Sequence, residues 1–217
     1  MREDIKMKIE KCGNITLING DCMEFMQSQS DKSFDLAIVD PPYGLGKRTV
    51  EGGGKNTQIR FISDLKRTNW DDEVPSKEYF EELKRVSNNE IIFGGNYFNL
   101  PPCRCFIVWD KEVYIPSMSQ VEFAYTTFDS PARMVKIPSR DKHRFHPTQK
   151  PIKLYEWILI SYGKTGQKIL DTDGGSMSHA IAAHKLGFDL TIIEKDPVYY
   201  EKAKKRLIEF QRQQVLF

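Results

Sequence analysis

The run Phe34, Asp35, Leu36, Ala37, Ile38 and Val39 constrains the fold of this 217-residue chain more than any other feature. A strand with one wet face alternates polar and apolar residues. A near-continuous apolar run has to be covered on both faces, as in a parallel sheet flanked by helices. Similar runs recur at 90–95, 105–110, 168–172 and 190–194, and further strands are predicted at 15–18 and 121–128. Helical periodicity predicts 22–29, 76–88, 151–162, 177–186 and 197–213 between them. In the second helix Tyr79, Phe80, Leu83 and Val86 share a face, and Ser76 offers an N-cap. In the last, Asp196 caps, Pro197 takes the first turn, and Tyr200, Ala203, Leu207 and Phe210 form the apolar stripe. The alternation predicts one α/β domain over 1–217, with a doubly wound, mostly parallel sheet.

The first of these runs ends in Asp40, Pro41, Pro42 and Tyr43. Each proline lacks an amide hydrogen and fixes its own φ, so the ladder stops there. In an open α/β sheet ligands bind outside the carboxyl ends of the strands, which puts Asp40 and Tyr43, on a stiff turn, where chemistry takes place. A carboxylate accepts a hydrogen bond from an exocyclic amine, the Pro41 carbonyl accepts a second, and the Tyr43 ring offers a flat face to a planar base.

A second constellation spans 169–207. A strand ends at Asp171, a turn containing Gly174 and Gly175 follows, then a helix, then a strand ending at Glu194. This is the βαβ layout of a nucleotide-type site, in which glycine permits close backbone approach and a terminal acid binds ribose hydroxyls.

Charge adds two basic stretches. Lys47, Arg48, Lys55, Arg60, Lys66 and Arg67 crowd the segment 44–67, and Arg133, Lys136, Arg140, Lys142, Arg144, Lys150 and Lys153 crowd 133–153, although the net charge is only +2. Beside a chemical motif they point to phosphate contacts. The segment 44–75 has no convincing periodicity and reads as a mobile loop closing over a target base. The four cysteines lack paired CxxC spacing, no basic-then-apolar leader opens the chain, and no membrane-length apolar run occurs, so a soluble cytoplasmic protein is expected. No metal is expected either, since the acids and thiols a metal would need are not grouped with His143 and His146. His179 and His184 read as ordinary helix residues, and Trp109 and Trp157 as core aromatics.

The blocks at 18–26, 34–44, 91–98, 106–111, 146–159 and 169–207 together resemble the β-class amino methyltransferases of DNA, which use S-adenosylmethionine (AdoMet). The resemblance implies a Rossmann-like methyltransferase fold, AdoMet as cofactor and double-stranded DNA as partner. It gives Asp40, Pro41, Pro42 and Tyr43 the catalytic role. Asp171, Gly174, Gly175, Ser176 and Ser178 become the cofactor turn, with His146, Thr148 and Lys150 nearby. Glu194 is the ribose-binding acid, and Asp21 with the Cys22 amide reads the cofactor's adenine. An aspartate heading the catalytic block favours N6 of adenine as acceptor. Lys47, Arg48, Arg133, Arg140, Lys142 and Arg144 are the expected DNA contacts, within 44–75 and a short recognition region at 110–146. So small a region implies a short target, loose specificity or a homodimer pooling two surfaces.

Two residues depart from the family's turn. Asp173 replaces an aromatic or similar residue, and Met177 replaces a glycine. With Met177 at φ below zero and its side chain in the core, the site would survive. The alternatives are a non-catalytic or partner-dependent DNA-binding homologue, or a methyltransferase for N4-cytosine, RNA or a protein amide.

Overall fold

The computed structural model describes residues 7–45, 73–115, 119–139, 145–146 and 149–214. In chain order its elements are β1 (Lys8–Cys12), β2 (Ile15–Asn19), α1 (Cys22–Ser28), β3 (Phe34–Val39), α2 (Lys77–Val86), β4 (Ser87–Phe93), β5 (Phe106–Asp110), β6 (Val121–Thr126), β7 (Arg133–Lys136), α3 (Ile152–Tyr162), β8 (Lys168–Asp171), α4 (Ser178–Leu186), β9 (Asp189–Glu194) and α5 (Pro197–Gln214). The strands form one sheet in the order β1-β2-β9-β8-β3-β4-β6-β5-β7. The pairs β2·β9, β9·β8, β8·β3, β3·β4 and β5·β7 are parallel, and β1·β2, β4·β6 and β6·β5 are antiparallel.

The near-continuous apolar runs became interior strands, covered as their composition requires. One face of the sheet packs under α3, α4 and α5 around Leu36, Ile38, Ile91, Ile107, Leu154, Ile158, Ile181 and Tyr200. The other packs under α1 and α2 around Ile18, Ala37, Val39, Phe25, Met26, Leu83 and Val86.

Two strands escaped sequence reading. β1 and β7 are the sheet's edges, and each of their sequences, KIEKC and RMVK, carries charges on a largely exposed surface. Without a buried face there is no apolar alternation to detect. β4 also starts earlier than predicted, at Ser87, directly after α2. Asp196 caps α5 as expected, accepting from the Val198 and Tyr199 amides at 2.7 and 3.1 Å. Ser76 occupies the N-cap of α2, but its hydroxyl makes no capping bond. Among the described residues no helix is long and apolar enough to cross a membrane.

Candidate active site

The chain leaves β3 toward β4 on one side and β8 toward β9 on the other, so the crevice between β3 and β8 is the switch point of the sheet. A cavity of about 510 Å³ opens there, walled by residues that follow the carboxyl ends of β2, β3, β8 and β9. Asp40 and Pro42 reach it from β3, Asp21 and Cys22 from the start of α1, and Gly174, Gly175, Ser176 and Ser178 from the turn after β8. Glu194, His146 and Lys150 complete the expected set. Pro41 is buried beneath the turn, and Thr148 lies outside the described residues.

Asp40 sits in a compact buried cluster. Lys150 Nζ is 2.6 Å from Asp40 Oδ1 and 2.7 Å from Glu122 Oε1, with the lysine side chain only 5% exposed. The Tyr43 hydroxyl lies 2.6 Å from the same Asp40 oxygen and 2.8 Å from the same Glu122 oxygen. One phenol hydrogen serves one of these contacts at a time, so the second relies on a carboxyl proton or on the ammonium. Burial, with Glu122 close by, raises the pKa of Asp40 against the pull of Lys150. Burial acts the same way on Glu122, but Lys150 and Lys111 outweigh it and hold that acid below its ordinary range. Asp40 is therefore the member of the pair that takes up a proton first.

The Tyr43 ring does not line the cavity. It stacks on Tyr97 at 5.1 Å and 20° and lies against Gly94, where an added Cβ would come 2.2 Å from its Cε1. Gly94 has φ +68°, so both its conformation and this close approach require glycine. Stacking of Tyr43 on a base requires the ring to leave Tyr97.

On the other wall, the Gly174 amide donates to the Ile193 carbonyl at 2.7 Å, and a Cβ there would stand 3.0 Å from that oxygen. The turn is thereby drawn onto β9. Glu194 accepts from the Gly175 amide at 2.7 Å and the Asp196 amide at 2.8 Å, and burial pushes its pKa up to about 7. Ser176 and Ser178 hydroxyls lie 3.1 Å apart, and Arg206 donates to the Ser176 carbonyl and to Ser178 Oγ.

Asp171 is not in the cavity wall. It is buried, accepts from the Asp173 amide at 3.0 Å and pairs with His179 Nδ1 at 2.9 Å. Asp171 thus belongs to the turn as a bracing group, bonded to the Asp173 amide and to His179 of α4, and not to the described lining of the cavity. His179 likewise is no ordinary helix residue: it is buried and stacked on Tyr155 at 4.7 Å and 8°. Asp173 takes the cavity-facing place instead. Met177 takes a left-handed conformation, at φ +54°, rather than the expected negative φ, while its side chain is fully buried in the core. Of the two conditions set for Met177, the buried side chain is met and the negative φ is not.

Asp21 caps α1, accepting from the Met23 amide at 2.9 Å, and its other oxygen pairs with Lys195 at 2.9 Å. His146 meets Tyr199 edge-on at 4.5 Å. Lys47, Arg48, Arg140, Lys142 and Arg144 lie outside the described residues, as does most of the 44–75 loop. Arg133 is described, and it stands apart from the cavity, with its guanidinium 5.2 Å over the Trp157 ring and 5.9 Å over Tyr162.

Sequence reading missed Glu122 and placed Lys150 with the cofactor. Glu122 is the second residue of the antiparallel strand β6, so the start of that strand, not its end, reaches the rim beside Asp40. The available signal was an acid, Glu122, in the mostly apolar run at 121–128.

No family model matches the chain. It is 23% identical over 244 residues to the Type II methyltransferase M2.DpnII of Streptococcus pneumoniae, with 88% of each protein covered. To the Type II methyltransferase M2.MboI of Moraxella bovis it is 24% identical over 246 residues, covering 90% of this chain and 88% of that one. Among solved structures, the M1.HpyAVI–SAM complex superposes with a TM-score of 0.57 at 22% identity, over 88% of this chain and 99% of the other. The cytosine-N4-specific PvuII DNA methyltransferase gives 0.61 at 13% identity, over 94% and 93%. The fold is the Rossmann-like fold of AdoMet-dependent methyltransferases.

Proposed function

We propose that this chain transfers the methyl group of AdoMet to N6 of adenine in double-stranded DNA. The observation that carries the reading is Asp40, a largely buried carboxyl at the wall of a cavity whose described lining sets six acids, Asp21, Asp40, Glu73, Asp173, Glu194 and Asp196, against two lysines, Lys150 and Lys195. Relatives named as Type II methyltransferases support the reaction class. The head residue of the catalytic block, an aspartate, supports adenine.

The residues present fit the cofactor. A cavity of about 510 Å³ suits a ligand of this size, and its excess of acids suits a molecule bearing a sulfonium and an ammonium. When bound, AdoMet supplies an electrophilic methyl group. Glu194 keeps a second lone pair on each oxygen for ribose hydroxyls, and Asp21 stands where an adenine amine is to be read.

The chain's own part in transfer is positioning and charge. Asp40, once ionised, accepts a hydrogen bond from the target amine and stabilises the positive charge that grows on nitrogen. For this, Lys150 and the Tyr43 hydroxyl have to turn from Asp40 to Glu122, which both already touch. The amine's second hydrogen goes to the Pro41 carbonyl, and the base is held outside the duplex stack. Target contacts are assigned to 44–75 and 110–146, with Lys47, Arg48, Arg140, Lys142 and Arg144 as the basic residues that reach phosphate.

Incubating the protein with labelled AdoMet and duplex DNA, RNA or protein, then digesting the product to nucleosides, tests this. Label in N6-methyladenine from duplex DNA is expected. Asp40→Ala should lower turnover by about 10³-fold or more while AdoMet affinity changes less than about threefold. Label on cytosine, in RNA or in protein would replace the acceptor, and full turnover by the alanine variant would remove Asp40 from the mechanism.

A further inference from the structure

We propose, on the reading of the cavity as an AdoMet site, that Asp173 selects the cationic methyl donor over its neutral, demethylated thioether product. Donor and product differ by one methyl group and one positive charge. A pocket that holds both by shape alone binds them almost equally, and the product then competes with the donor. Discrimination requires a negative charge at the cavity that no protein cation has already neutralised.

Asp173 meets that requirement. Its Oδ2 accepts from the Thr172 hydroxyl at 2.7 Å and the Tyr79 hydroxyl at 3.2 Å, both uncharged donors. No described residue bonds its Oδ1, and it has no ion pair among the described residues. The two lysines of the cavity wall are engaged elsewhere, Lys150 with Asp40 and Glu122, and Lys195 with Asp21. Asp171 is not in the described cavity lining, and Glu194, which also has no ion pair among the described residues, has each oxygen held by a backbone amide and is assigned to the ribose.

A partly buried carboxylate without a counter-ion among the described residues is costly, and a ligand carrying the additional sulfonium charge relieves more of that cost than the product, which keeps the ammonium alone. Burial, with Asp171, Asp40 and Glu194 adding repulsion, lifts the pKa of Asp173 to about 7, consistent with a site waiting for a positive charge. An aromatic residue at this position, as in the family's turn, offers no such charge.

Calorimetric titration with AdoMet, with the thioether product and with an analogue bearing an amine in place of the sulfonium tests the assignment. In the unmodified protein the two cationic ligands should bind about tenfold or more tightly than the thioether. Asp173→Asn and Asp173→Phe should each reduce that preference about tenfold, with thioether affinity changing less than about threefold. Thr172→Ala, which disturbs the same hydrogen-bond chain but keeps the charge, should leave the preference intact. Two variants guard against one failing to fold. An unchanged preference in whichever Asp173 variant is folded overturns the proposal while leaving the cofactor site standing. Failure of the unmodified protein to bind any of the three ligands at millimolar concentration overturns the cofactor reading itself.

Discussion

Glu122 and Lys150 set the state in which Asp40 meets an amine. Glu122 is held ionised by Lys150 and Lys111, and its charge, after burial and against Lys150, helps keep the pKa of Asp40 high. Asp40 accepts the target amine's hydrogen bond only as the carboxylate, so turnover falls on the acid side of its pKa. Glu122→Gln removes the repulsion, lowers the pKa of Asp40 and shifts the acid limb of the kcat profile to lower pH. The same change leaves Lys150 with Asp40 as its one acid partner among those it now touches, which hinders the exchange that frees Asp40. Turnover at neutral pH should drop roughly ten- to a hundredfold. A kcat profile measured across pH 5 to 9 checks both effects, and an acid limb that does not move would break the link between the two acids.

At the scale of elements, the turn after β8 balances strain against burial. Met177 at φ +54° carries the left-handed penalty of about 1–2 kcal/mol that glycine escapes. Its side chain is fully buried, and removing a buried methionine costs roughly 2–5 kcal/mol. Burial wins, so Met177→Gly should destabilise the protein by roughly 1–3 kcal/mol although it restores the family's residue. Urea unfolding measures this, and a stabilised glycine variant would mean that strain dominates.

The edge strand β1 is tied to α5 by Glu10, which accepts from Lys204 at 2.7 and 2.8 Å and from the Tyr200 hydroxyl at 2.6 Å. Lys204, then Tyr200, draw the pKa of Glu10 down to about 2. The folded value lies below that of a free glutamate, about 4.3, so the contribution is complete above that pH and is lost as pH falls toward 2. Glu10→Gln should cost roughly 0.5–1 kcal/mol at pH 7, limited by partial exposure, and close to nothing at pH 2. Thermal melts of both proteins across that range report the difference.

Over the whole molecule, the direction of each strand decides which basic residues share the rim with Asp40. β7 runs parallel to β5, with Lys136 beside Asp110 and Arg133 beside Ile107. Arg133 therefore sits about 10 Å back from the rim, stacked on aromatic rings of α3. Arg133→Ala should leave DNA affinity and its salt dependence unchanged, while costing about 0.5–1 kcal/mol of stability. Substituting Arg140, Lys142 or Arg144 should instead lower the salt slope by about one each. Fluorescence anisotropy against salt concentration distinguishes the two groups.

The linear order of residues determined what local chemistry can determine. Apolar runs had to become interior strands, Pro41 and Pro42 had to end β3 at Asp40, and the glycines after Asp171 had to bring the chain close to Glu194. Tertiary structure decided which side chains meet across the crevice. The antiparallel insertion of β6 turned the start of a strand toward the end of β3, so that Glu122 met Lys150, 28 residues away in sequence, and Asp40, 82 residues away. Packing against His179 turned Asp171 inward and left Asp173 facing the cavity. Propensity and periodicity act over a few residues, whereas the pairing of distant charges depends on strand direction and on what covers each face, which no short stretch encodes.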